Sequence, residues 1–131
     1  PIFYAPLLAA LLYRTHVSLI VAVLPPWLNH LFTGHPPVPI AVLITLELLV
    51  FTAWARYFKG REVHWSAVGP LSYILTKPVL ALALLLIPAL PGRGDPLAWA
   101  LQSTLIGLPG IVILGLIGLL AGRQPHNPAA A

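Results

Sequence analysis

The sequence predicts an all-α fold, a polytopic bundle of membrane helices. Three observations carry this prediction. Of 131 residues, 59% are hydrophobic and only 8% are charged, where a soluble domain carries about 25% charged residues. The apolar residues fall in long runs between short polar or proline-rich breaks, and about 20 such residues suffice for one helix to cross a bilayer core. The 15 prolines and 10 glycines sit within Leu, Ile, Val and Ala runs, whose burial requirement excludes a disordered chain.

Five segments follow in order. Ile2 to Tyr13 is apolar but short for a crossing, and is expected to be the end of a longer helix. His16 to Phe32 is a second segment with Pro25-Pro26 inside it. Val38 to Phe58 is a third, with Glu47 at its middle. Trp65 to about Leu90 is a fourth, interrupted by Lys77, and Pro96 to Gly122 is a fifth, free of charge throughout. The breaks have chemical causes. Tyr13 to His16 is a polar turn. Thr33 to Pro37 contains consecutive prolines, which remove amide donors and push the preceding residues to extended backbone. Arg56 to His64 is the longest polar stretch. Pro91 to Pro96 is a turn in which Asp95 is placed to cap the last helix, and Pro96 suits its first position. Residues 1–123 form one transmembrane helical domain, and 124–131 are a tail.

Charge sets the expected topology. Alternating helices bring Arg14, Arg56, Lys59, Arg61 and Arg123 to one side, while the other holds Arg93 and Asp95. The positive-inside rule places the basic side in the cytoplasm. The first segment then enters from outside, so the intact protein is expected to have six spans, the first absent here. Seven Lys and Arg against three acids are too sparse for a nucleic-acid footprint. With no cysteine, disulfides, thiolate metal sites and a cysteine nucleophile are absent. No metal or other cofactor is expected, because no histidine pair has ligand spacing on one helix.

Candidate binding groups are few. Glu47 and Lys77 lie at membrane depth, where a charge costs about 2.5–3.5 kcal/mol on insertion scales. They either bind a substrate or pair with each other across adjacent helices. Ser66, Tyr73 and Lys77 are expected near one another on the fourth segment. Trp99, Gln102, Ser103 and Ile106 share one face of the last segment, leading to Pro109-Gly110, where the proline leaves the Leu105 carbonyl without its helical donor. Asn29, His30 and His35 make the outer end polar. Gly118 and Gly122 form a small-residue face, as do Ala5 and Ala9, allowing close helix approach. No hydrolase, metalloprotease or phosphate-loop motif is present, so the chain is not expected to be an enzyme.

The run LPPWLNHLFTGHPP at 24–37, the ITLEL helix at 44–48 and its aromatic-basic end WARYFK at 54–59 resemble the substrate-binding S components of energy-coupling factor (ECF) transporters. Lys77 is similar to a basic residue in the family's next helix, more often arginine. GLPGI at 107–111 resembles an element of its last helix. The similarity covers roughly residues 1–123, with the family's first helix absent and His35 standing where methionine is usual. The resemblance implies a multi-pass protein of the bacterial or archaeal plasma membrane, surrounded by lipid, which captures a vitamin or other micronutrient. Its implied partners are that small-molecule substrate, a transmembrane scaffold subunit and two ATPase subunits. The implied outer-half pocket selects Asn29, His30, His35, Glu47, Tyr73, Lys77, Trp99, Gln102 and Ser103. Two other readings compete: a structural membrane subunit of a larger complex, and an intramembrane enzyme using Glu47.

Overall fold

Six helices and no strand make up the described part of the chain, which in this computed structural model is residues 2–86 and 95–123. They are α1 (Tyr4–Leu12), α2 (Thr15–Thr33), α3 (Val38–Gly60), α4 (Trp65–Leu86), α5 (Pro96–Ile106) and α6 (Leu108–Gly122). The expected turn at 91–96 is described only at Asp95 and Pro96. The end of the fourth segment and the tail also lie outside the described residues.

Local chemistry accounts for the helix ends. Gly34 ends α2 with φ +72°, a conformation that costs glycine little. Its N–H bonds the His30 carbonyl at 2.8 Å. Pro37 precedes α3, and Pro39 sits in its first turn, where a missing amide hydrogen is harmless. Asp95 caps α5 as expected, its carboxylate accepting from Leu97 N–H at 2.9 Å. α2 runs through Pro25 and Pro26 without a break.

Two boundaries differ from expectation. α3 continues to Gly60, so the first residues of the polar stretch are helical. Arg56 and Lys59 there turn back onto the end of α1. Arg56 donates to the Tyr13 carbonyl at 2.7 Å and the Thr15 hydroxyl at 2.6 Å, and Lys59 donates to the Leu11 carbonyl at 2.6 Å. These cations satisfy carbonyls that a helix C-terminus leaves open and complement its dipole. The last segment is not one helix either. It breaks at Gly107 into α5 and α6, bent by 60°. Pro109 explains the break: it has no N–H for the Leu105 carbonyl, and its ring clashes with that carbonyl in a continuous helix. The chain instead restarts with Pro109 in the first turn of α6.

α3 and α4 are each long and apolar enough to cross a membrane, and the bent α5–α6 pair is a third such unit if counted as one span. α2 has the length, but His16, Asn29, His30 and its two prolines dilute its apolar character.

α4 is the hub, contacting α3, α5 and α6, while α1 packs on α2, α3 and α6. The core is built from Leu7, Leu11, Leu48, Phe51, Val68 and Leu114. Small residues set the closest approach. A Cβ on Gly118 would lie 2.0 Å from the Trp65 carbonyl oxygen, and one on Gly69 would lie 3.0 Å from Leu114 Cβ. The glycine face of α6 therefore packs within the chain, against the start of α4. Of the other small pair, Ala9 is buried and Ala5 exposed. The Ala9 carbonyl accepts from the buried Ser18 hydroxyl at 2.9 Å, tying α1 to α2. Buried Thr52, Ser72 and Thr76 bond the carbonyl one turn back in their own helices, which satisfies polar groups that burial would otherwise penalise.

Candidate functional site

Glu47 lies nine residues into α3 and Lys77 nine residues before the end of α4. Because the two helices run antiparallel from the same end, equal offsets at 1.5 Å per residue bring the residues to one depth. Their side chains form a buried, hydrogen-bonded ion pair. Each is less than 10% exposed. The pairing alternative raised by the sequence is thus realised in the structure.

Three rings surround the ammonium. Lys77 Nζ lies 4.8 Å from the centroid of Tyr73, 5.3 Å from that of Trp99 and 5.7 Å from that of Phe3. A cation within about 6 Å of a ring centroid is attracted by the ring quadrupole, most strongly when desolvated. Phe3 also meets Tyr73 edge-on at 5.1 Å and Phe51 at 5.0 Å. Lys77 is therefore held by one carboxylate and three aromatic faces drawn from α4, α5 and the residue preceding α1.

The same rings border a cavity of about 680 Å³, between the start of α1 and helices α4, α5 and α6. This volume falls in the range of about 300–1,000 Å³ usual for small-molecule sites. The whole face anticipated on the last segment, Trp99, Gln102, Ser103 and Ile106, lines it, together with Tyr73. The helix break shapes the floor. The Tyr73 hydroxyl donates to the Ser103 carbonyl at 3.1 Å, and a Cβ on Gly107 would lie 2.1 Å from that hydroxyl. Only glycine leaves room for the tyrosine there. A second cavity of about 540 Å³ lies between α4 and α5, walled by Ile74, Leu82 and Leu101 and touched by Lys77.

Not every candidate joins this site. Asn29 and His35 are exposed and His30 is half-buried, and none lines either cavity. His30 instead closes the α2–α3 loop, its Nδ1 lying 2.8 Å from the Pro36 carbonyl. Ser66 stands at the start of α4, bonded to His64 at 2.7 Å, three turns from Lys77 rather than beside it. Glu47 and Lys77 neighbour the larger cavity without lining it. Sequence reasoning missed Ile2, Phe3 and Tyr4, which complete its wall. Nothing in their spacing tied the chain's first residues to a helix a hundred positions away.

Comparison with protein-family models, curated proteins and solved structures returned no match.

Proposed function

We propose that this chain is a membrane-embedded substrate-binding subunit for the ATP-driven uptake of a vitamin or other micronutrient. It would work with a transmembrane scaffold subunit and two ATPase subunits in the plasma membrane of a bacterium or archaeon. The observation that carries this reading is the cavity where Tyr73, Trp99, Gln102 and Ser103 converge. It is concave, mostly apolar and fitted with a few polar groups, as ligand sites are. The resemblance of the 24–37, 44–59 and 107–111 runs to ECF S components supplies the transport context. In this reading the chain performs no chemistry; it holds a solute while its partners hydrolyse nucleotide.

The competing reading, a structural membrane subunit, draws on the closed Glu47–Lys77 pair, which needs no ligand to be satisfied. Affinity purification of the tagged protein from native membranes separates the two. Recovery of a membrane scaffold with paired ATPases, and stabilisation of the purified protein by one member of a vitamin panel, is the expected outcome. Recovery within a respiratory or photosynthetic assembly, with no panel member raising the unfolding temperature, gives the structural reading its place.

A further inference from the structure

Charge is absent from the wall of the larger cavity: among the described residues, no Asp, Glu, Lys, Arg or His lines it. The two nearest formal charges neutralise each other. The three rings around the ammonium, Phe3, Tyr73 and Trp99, also border the cavity, together with the Tyr4 ring. An anionic ligand would have to draw Lys77 away from Glu47 and leave that carboxylate buried and unpaired, and a cationic one would do the converse to Lys77. Breaking a buried pair in this way is strongly unfavourable, and a charge entering an apolar cavity without a counterion also loses its hydration.

The polar groups that remain are neutral. The Ser103 hydroxyl donates to the Ala100 carbonyl and the Tyr73 hydroxyl to the Ser103 carbonyl, so these two donors are already engaged, while the Tyr4 hydroxyl and the Trp99 indole N–H, on the same wall, add two neutral donors. Gln102 makes no hydrogen bond to a described residue, and it stands at the cavity between the exposed apolar side chains of Leu101, Leu105 and Ile106. Its amide offers one acceptor and two donors, none of them paired with a described residue. We infer that the cavity binds an uncharged, flat, largely apolar molecule whose amide-type edge pairs with Gln102, and that Glu47 and Lys77 position the ring walls without touching it. This inference rests on the reading of the cavity as a ligand site.

Three probes with one bicyclic body and different charge test it: 2-naphthamide, 2-naphthoate and 2-naphthylmethylammonium. Their binding to the purified full chain in lipid nanodiscs is measured by equilibrium dialysis against empty nanodiscs. The amide is expected to bind at least tenfold more tightly than either ion. Gln102→Leu, an exposed position whose replacement leaves the core untouched, is expected to remove at least tenfold of that affinity. Tighter binding of either ion, equal binding of all three, or unchanged affinity in Gln102→Leu overturns the inference while leaving the cavity as a site. Binding of none of the three overturns both the inference and the site reading beneath it.

Discussion

At the scale of single residues, Glu47 and Lys77 illustrate how a membrane interior accepts charge. Each alone is an expensive group at this depth. Together, with three rings over the ammonium, they form a neutral, hydrogen-bonded unit. Removing one partner strands the other, which for a buried pair costs about 3–5 kcal/mol. Glu47→Gln and Lys77→Met should each destabilise the purified protein by that order, seen as a lowered unfolding midpoint. The double variant should recover most of the loss, because it leaves no unpaired charge. Equal losses in the double and single variants, measured by thermal unfolding in one detergent, would show that the pair is not an energetic unit. Both residues were legible in the sequence as the two charges lying within apolar segments, with mutual pairing as one of two alternatives. The ring cage was not, because Phe3 and Trp99 reach Lys77 from positions remote in sequence.

At the scale of elements, the contact between α4 and α6 depends on missing side chains. The Cα of Gly118 lies against the backbone of Trp65, and backbone cannot rotate aside as a side-chain end would. Gly118→Ala should destabilise the protein by about 1–3 kcal/mol through overpacking. This exceeds the roughly 1 kcal/mol that alanine returns in helix propensity. Gly60→Ala, where the added methyl meets nothing within 4 Å, is the matched control. An unchanged or raised midpoint for Gly118→Ala in scanning fluorimetry would refute the close packing. The small-residue spacing on α6 was visible in the sequence, but its partner was not: the same pattern serves contacts within a chain and between chains. The α5–α6 break shows a similar limit. Pro109 announced an irregular carbonyl, yet only the packing of Tyr73 against Gly107 locates the bend beside a cavity.

At the scale of the whole molecule, the described basic residues other than the buried Lys77 gather at one end. Arg14 sits in the α1–α2 turn, Arg56 and Lys59 bind the end of α1, and Arg61 lies 5.3 Å over the Tyr57 ring. Arg123 follows Gly122, which faces the Trp65 side chain at that same end. The α2–α3 loop and Asp95 occupy the opposite end. The positive-inside rule predicts that the basic end faces the cytoplasm. Because the chain has no cysteine, single cysteines report this cleanly. Gly60→Cys should resist a membrane-impermeant thiol reagent in intact cells, and His35→Cys should react. The reverse pattern would invert the topology.

The all-helical class, most helix ends and the segregation of basic charge were already legible in the amino-acid sequence. These follow from local quantities: runs of apolar side chains, prolines without amide hydrogens, and cappers such as Asp95. It also marked one face of the last segment, because Trp99, Gln102, Ser103 and Ile106 recur with the helical period. Tertiary structure decided what that face meets. It placed Tyr73 under the helix break, drew Phe3 and Tyr4 into the wall, and turned Asn29, His30 and His35 away from both cavities. It also set Lys77 behind the rings rather than in the opening. The physical reason is that a cavity is what packing leaves unfilled. Its existence depends on how several helices fit together at once, and no single helix encodes that fit in its own periodicity.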